Sequence, residues 1–568
     1  MRSATSTSLC SLALVAGLTA CGGGGGSPPP PTQAPPSTVT EPAPVAESPS
    51  LPSEPPKPSV PATTVPTPTP APIRTKGVWS NVADWPLISI HAALLPDGRV
   101  MTYGTNVSRL GQNQFMYDVF DPTVDFASPA SHLTLENTTG TYLFCSAQVL
   151  LPLSGELLLS GGDILGASGS VLNRGNPDVT VFNPANNQLR SESQMTRGRW
   201  YATTTVLPNG AIYVQGGTDG EDHPEIRGND GTYTLLTGID TLMQQGDGYG
   251  YFANNYPRNF VAPNGRIFGF DPHWMYEVDP HGTGDNGGPG NVRLLGSHFD
   301  VPVAPGDYSG RGWSPTSSAV MYRPGKILQV GGTKRNATRI DITGPTPRLE
   351  DLPPLDQVRQ WATATVLPDG RVFVSGGSTK NLLSDPLNQD VGETAYGTLI
   401  FDPQSDSWTQ AAPLSVGRYY HSITMLLPDG TILSSGGGSP GPLTNLNAQI
   451  YQPGYLFSND GSRATRPVIE QVAGALPDVV NPSKTFNLTS PDAARVARVT
   501  MVKTGSVTHS FDMDQRFIEP AFTVEGHQLR VTLPANPYET PPGYYMVFLI
   551  DTDGTPSKAK IIRINPVG

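Results

Sequence analysis

The chain is poor in cysteine, in charge and in long apolar runs. Only three of its 568 residues are cysteines: Cys10, Cys21 and Cys145. That count excludes a disulfide-stapled scaffold, which needs several pairs. Charged residues make up 15%, and the net charge is −12. This balance argues against a nucleic-acid binder, whose footprint is basic. No internal stretch reaches the roughly 18 apolar residues of a membrane-spanning helix. Glycine (62) and proline (59) are plentiful instead. Both disfavour long helices and suit many short strands joined by tight turns. With 37% hydrophobic residues, a large core can still be buried.

Residues 1–20 read as a leader. Arg2 precedes an apolar run from Leu9 to Leu18, followed by Leu18-Thr19-Ala20-Cys21. This is a secretory signal with a small residue before the cut. It also resembles a bacterial lipobox, in which Cys21 becomes the lipidated first residue; the alternative is plain secretion with Cys21 incidental. Five glycines (22–26) follow, and 18 of the 59 prolines fall between Pro28 and Pro72. Residues 21–75 therefore read as a disordered, partly extended tether that cannot build a core. The expected location is the bacterial cell envelope, at the outer membrane or surface, with the lipid as the sole membrane contact. Cys10 leaves with the leader and Cys21 carries the lipid. Cys145 is then a lone thiol in an oxidising compartment, either a small buried hydrophobe or a residue with a task.

The body is a repeat. Seven segments share an apolar run, a Pro-Asp-Gly-like turn, a second β-rich run and often Gly-Gly. They are ALLPDGRVMTYG (93–104), VLLPLSGELLLSGG (149–162), TVLPNGAIYVQGG (205–217), FVAPNGRIFGF (260–270), AVMYRPGKILQVGG (319–332), TVLPDGRVFVSGG (365–377) and MLLPDGTILSSGGG (425–438). Proline and glycine set the turn dihedrals, and the flanking runs read as paired strands. VFDP, VFNP, LIFDP and QIYQP follow as outer strands. Repeats spaced about 40 to 60 residues apart predict a propeller of four-stranded blades. Residues 76–460 are thus expected to form a seven-bladed kelch-type β-propeller. GVWSNVADWPL (77–87) resembles the outer strand DSWTQAAPL (406–414), so it should complete the last blade. From 465 to 568 the sequence alternates polar and apolar residues, as in KTFNLTS and LRVTLP. This predicts a separate immunoglobulin-like (E-set) β-sandwich.

The turn prolines serve as a ruler. Cys145, Tyr201 and His421 each lie seven residues before one, at Pro152, Pro208 and Pro428. Tyr420 sits beside His421, and Trp361 holds the equivalent place before Pro368. Equal offsets in repeating strands mean equal depth along the channel axis. Cys145, Tyr201 and His421 should therefore share one ring at the channel mouth. His509, in GSVTHSFDMDQR (505–516), falls on a loop of the C-terminal region.

The chain resembles the copper radical oxidases, the family of galactose oxidase and glyoxal oxidase. The matching stretches are LFCSAQ (143–148), RGRWYATTTVLPNG (197–210), GRYYHSITMLLPDG (417–430), AQIYQPGYLFSNDGSRATRP (448–467), TGSVTHSFDMDQR (504–516) and PPGYYMVFLIDTDGTPS (541–557). The resemblance implies one copper ion bound by Tyr201, Tyr420, His421 and His509. It also implies a thioether joining Cys145 to Tyr201, which makes a protein-derived radical cofactor. Two imidazoles and phenolate oxygens suit Cu(II) with one open position. By the same resemblance Tyr420 is the general base, and Tyr201 removes hydrogen from the substrate carbon. A primary alcohol or small aldehyde is oxidised by O2, with H2O2 as the second product.

Two departures bear on the substrate. Where galactose oxidase stacks a tryptophan over the linked tyrosine, GGTDG (216–220) places Asp219; Trp200 or Trp361 shields the ring instead, or it stays more open. The chain shows a tether in place of an N-terminal sugar-binding sandwich. Both favour a glyoxal-oxidase-like substrate range. Arg311 in SGRGW (309–313) either orients a polar substrate or closes a structural salt bridge. A monomer is expected. The competing reading is a non-catalytic carbohydrate- or protein-binding propeller at the cell surface, since fold alone does not decide function. A propeller hydrolase is unsupported: there is no G-x-S-x-G elbow and no H-E-x-x-H.

Overall fold

The computed structural model describes residues 73–567, apart from 106–115, 167–170, 242–254, 273, 298–310, 381–392, 440–442, 473–478 and 482–483. The leader, Cys21 and the proline-rich tether lie outside the described residues. The described residues belong to one compact unit, Thr69–Gly568, and the fold is all-β. Among them no helix is long and apolar enough to cross a membrane.

The turn motif dictates the local structure. In the first repeat Gly98 donates its backbone N–H to Leu95 O at 3.0 Å, and Leu95 donates to Arg99 O at 2.8 Å. Gly98 sits at φ +90, a conformation that costs glycine little and other residues much. Each such turn joins the first two strands of an antiparallel four-stranded sheet. The first sheet begins with Ile88–Leu94 and Val100–Thr105 and ends with His132–Glu136. The next five begin with Ala147–Leu150, Trp200–Val206, Arg258–Val261, Ser317–Arg323 and Thr363–Val366. The last begins with Ser422–Leu426 and is completed from the N-terminus, where Val78 pairs with Gln452 and Trp79 with Tyr451. VFDP, VFNP, LIFDP and QIYQP prove to be third strands rather than outermost ones.

The first strand of each sheet is buried along its length, whereas fourth strands such as Gln188–Ser191 are largely exposed. Buried first strands face one another around a common axis. Ser422–Leu426 packs back against Ile88–Leu94, and the Arg258 guanidinium spans the fourth and fifth sheets to Ser317 O at 2.6 Å. The ring is therefore closed.

The C-terminal region packs two sheets around Phe486, Leu488, Val499, Met501, Leu529, Val531, Tyr545 and Val547. One hairpin leaves this sandwich and enters the ring. Its arms are Ser506–Thr508 and Phe511–Ile518. The first pairs with Ile88–Leu94, the second runs parallel to Ser317–Arg323. The longer arm also packs against the first strands of the second, third, fourth and sixth sheets. The channel is thus filled by a hairpin. Gln148 holds it by donating to Ala92 O and Val507 O, each at 3.0 Å.

Candidate metal centre

The hairpin tip carries His509. Thr508 and Phe511 are the last paired residues, so His509 and Ser510 are the two central residues of the turn. Both have positive φ, +46 and +66, which is the type I′ geometry that fits strand twist. The sequence supplies His-Ser where Asn-Gly is preferred, so the turn is strained, and the packed channel around it holds it in place.

The strain is shared. Cys145 (+57), Tyr201 (+76), Tyr256 (+47), Trp361 (+65) and His421 (+63) are also left-handed. Such residues cost of order 1–3 kcal/mol each and persist where the surroundings over-determine them. Here they are tied from sheet to sheet. Tyr201 N donates to Cys145 O at 2.9 Å, Tyr256 N to Tyr201 O at 2.7 Å, and Trp361 N to Thr316 O at 2.9 Å. A buried arginine braces three of these positions. Arg199, Arg359 and Arg418 donate Nη1 to Gly216 O, Gly376 O and Gly436 O at 2.9, 2.9 and 2.7 Å. Each carbonyl belongs to a glycine of the Gly-Gly pair in the arginine's own sheet.

The side chains converge. Tyr201 Oη lies 2.6 Å from Tyr420 Oη. His421 Nε2 lies 2.8 Å from His509 Nε2, and Cys145 Sγ lies 3.6 Å from the same His509 nitrogen. The ligand atoms of Cys145, His421 and His509 are within 4.8 Å of one another, and all three residues are buried. Tyr201, Tyr420, His421 and His509 are 9, 6, 1 and 1% exposed.

The imidazole tautomers follow from their outer partners. His421 Nδ1–H donates to Gly438 O at 2.9 Å. Thr508 Oγ1 spends its proton on Ile90 O at 2.9 Å, so it accepts from His509 Nδ1–H at 2.6 Å. Both Nε2 atoms therefore present lone pairs, and those lone pairs face each other. Two lone pairs at 2.8 Å repel unless a cation lies between or beside them. Burial pushes the His421 ring down to about 3. It pushes His509 well below the usual imidazole range too, with the His421 charge adding to the effect. Neither imidazole supplies the cation by protonation. Burial raises the phenols of Tyr201 and Tyr420, so only a nearby metal ion would draw them into their anionic form. Burial also pushes the Cys145 thiol up, with the Tyr201 side chain drawing it partly back. A pair of imidazole nitrogens and a pair of phenol oxygens form a donor set that fits a Cu(II) ion.

The five residues singled out by motif thus come together. Trp361 joins them through Tyr420, with ring centroids 4.8 Å apart. Arg311 does not: its Nε donates to Asp351 at 2.8 Å in an ion pair. Asp219 is held by Arg174 at 2.5 Å. Trp200 meets Tyr201 edge-on at 4.4 Å. Tyr256, which the sequence reading passed over, packs against both Tyr201 and His509. It lies seven residues before Pro263, so the same ruler finds it.

Residues 466–564 match the family of the galactose oxidase-like, Early set domain. A galactose oxidase of Gibberella zeae is 26% identical over 529 residues, covering 87% of this chain and 71% of that protein. An aldehyde oxidase, GLOX, of Vitis pseudoreticulata is 25% identical over 552 residues, covering 86% and 97%. Among solved structures, a fungal alcohol oxidase of the AA5 family in complex with copper superposes with a TM-score of 0.73 at 23% identity. That match covers 86% of this chain and all of the other, and it shows the fold. Similarity to a galactose oxidase and an aldehyde oxidase along most of the chain, with the matching Early set domain at its C-terminus, supports a copper radical oxidase.

Proposed function

We propose that the protein is an exported copper oxidase that converts a primary alcohol to the aldehyde, or a small aldehyde, taken as its hydrate, to the acid, and reduces O2 to H2O2. One observation carries the reading: two imidazole lone pairs face each other at 2.8 Å beside two phenol oxygens 2.6 Å apart. Tyr201, Tyr420, His421 and His509 hold the ion. Copper, when bound, supplies one-electron redox chemistry and ionises the phenols that touch it. The remaining roles fall to the chain. Tyr420 Oη, 2.6 Å from Tyr201 Oη, receives the hydroxyl proton of the substrate. Tyr201, joined to Cys145 by a thioether, stores the second oxidising equivalent and takes the hydrogen from carbon. Burial of Cys145 at 0% exposure keeps this thiol from other partners. Trp361, beside Tyr420, borders the substrate position. Arg311 serves as a salt-bridge residue in this account, because Asp351 already occupies it.

The catalytic body is a seven-bladed ring over residues 76–460, and residues 465–568 are the sandwich that contributes His509. Export depends on the leader of residues 1–20, and lipidation at Cys21 anchors the tether to the cell envelope. The protein acts as a monomer. The test is the intact mass of the copper-loaded, air-exposed protein with mapping of the Cys145 and Tyr201 peptides. A linked peptide lighter by two hydrogens is expected, together with peroxide release on small alcohols or aldehydes. A free Cys145 thiol under those conditions sinks the reading and favours a binding propeller. Cys145→Ala should abolish the link and most turnover; near-normal turnover would remove the linked tyrosine from the mechanism.

A further inference from the structure

Three rings form a triangle at the centre. Tyr201 and Tyr256 lie 5.0 Å apart at 60°, Tyr256 and His509 4.7 Å apart at 33°, and Tyr201 and His509 4.9 Å apart at 68°. Tyr256 is 3% exposed, so its ring fills space that would otherwise open onto the phenol. Its backbone is fixed from both sides. Its N–H donates to Tyr201 O, and its carbonyl accepts from the Arg258 guanidinium, which also holds Pro315 O and Ser317 O. Its hydroxyl donates to Ser146 O at 3.3 Å, next to Cys145. One residue therefore touches the phenol, an imidazole and the segment that carries the thiol. The other aromatic candidates are placed differently. Trp361 lies against Tyr420, and the position after Gly-Gly is Asp219, paired with Arg174. Trp200 meets Tyr201 edge-on and makes no ring contact with His509 among the described pairs.

We infer that Tyr256 is a positioning residue for the Tyr201 centre: its ring, packed against both Tyr201 and His509, fixes their relative orientation and governs the potential and lifetime of oxidised Tyr201. The inference rests on the oxidase reading above. An aromatic ring against an electron-poor phenol stabilises it through its quadrupole, and a filled contact excludes water and reductants. The ring carries this role, because the ring makes the contacts with Tyr201 and His509, whereas the hydroxyl meets Ser146 O at 3.3 Å and the Thr508 side chain.

The test compares Tyr256→Phe, Tyr256→Leu and Tyr256→Met in the full mature chain loaded with copper and oxidised with ferricyanide. Two ringless variants are made so that one decides if the other fails to fold. Four quantities are read: mass of the Cys145–Tyr201 peptide, copper content, midpoint potential, and half-life of the oxidised optical band. Tyr256→Phe is expected to match the parent within about twofold, whereas the ringless variants shorten the half-life at least about tenfold and shift the potential, at copper content and KM close to the parent's. A folded ringless variant with the parent's half-life and potential overturns the inference. So does a Tyr256→Phe variant as short-lived as the ringless ones. A parent chain with no linked peptide instead overturns the oxidase reading, so the two failures are distinct.

Discussion

Thr508 decides which nitrogen of His509 faces the centre. Its hydroxyl donates to Ile90 O and accepts from His509 Nδ1, leaving the Nε2 lone pair facing His421 Nε2. Thr508→Val keeps the shape and removes this acceptor. The orphaned Nδ1–H then costs about 1–3 kcal/mol while buried, and the imidazole loses its orientation. We expect copper affinity to fall about 10–100-fold, measured by competition with a chelator of known affinity, and the His421 side to keep its geometry. Parent-like affinity would mean that packing alone orients His509. At this scale the sequence is partly legible. Cys145, Tyr201 and His421 share an offset from a turn proline, and so does Tyr256, though its NNYPR context reads as loop. His509 has no such ruler. Its repeat-free surroundings gain meaning only when the hairpin enters the ring, a tertiary event that spacing along the chain does not encode. Motif resemblance alone placed it.

Strands and turns were the most legible elements, because a recurring Pro-x-Gly turn fixes both a bend and a register. The braces beneath them are not legible in the sequence, since an arginine two residues before an aromatic looks like surface. Arg199 and Glu225 are both fully buried and 2.9 Å apart. Arg199→Met leaves the Glu225 carboxylate buried without its cation, which should cost about 3–5 kcal/mol. Urea unfolding at neutral pH checks this; a loss below about 1 kcal/mol would place the pair among weakly coupled surface pairs. The hairpin carries a titrating group of opposite sense. Asp512 Oδ1 accepts from the backbone N–H of Ser506, Asp514 and Gln515. Burial still pushes its carboxyl up to about 6, with the Asp514 charge adding to that. A raised acid contributes stability that is complete below its unfolded value near 4 and is lost as pH rises through about 6. Asp512→Asn should therefore gain relative to the parent on going from pH 4 to pH 8, by about 3 kcal/mol. Parallel stability curves for the two proteins across that window would show that Asp512 ionises freely.

Ring and sandwich are welded through the channel, so the molecule should unfold as one body. Val366 N donates to Gln515 Oε1 at 2.7 Å, Ser318 Oγ to Ser510 O at 2.6 Å, and Arg516 to Val261 O at 2.6 Å. Outside the channel, Thr500 Oγ1 donates to Pro368 O, and Ala559 and Val567 donate to Pro428 O and Pro208 O, at 2.7, 2.7 and 2.8 Å. The turn prolines that define the repeat are thus also acceptors for the C-terminal region. Withdrawing the hairpin would strip partners from buried backbone groups and leave Ile88–Leu94 and Ser317–Arg323 with open edges, which is costly in a closed interior. The sequence suggested two separate domains because the repeat stops abruptly near residue 460; it could not show that the last segment completes the first. A clean test uses the placement of tryptophan. All seven tryptophans precede residue 409, so their fluorescence reports the ring alone. Hydrogen exchange at Val496–Lys503 and Gly543–Asp551 reports the sandwich. In urea the two probes should give coincident midpoints, and both should rise together when copper is added, since an ion held by Tyr201, His421 and His509 would join the ring to the hairpin. A sandwich that melts first, with the tryptophan transition unmoved by its loss, would mean that the ring is self-sufficient and the hairpin a removable plug.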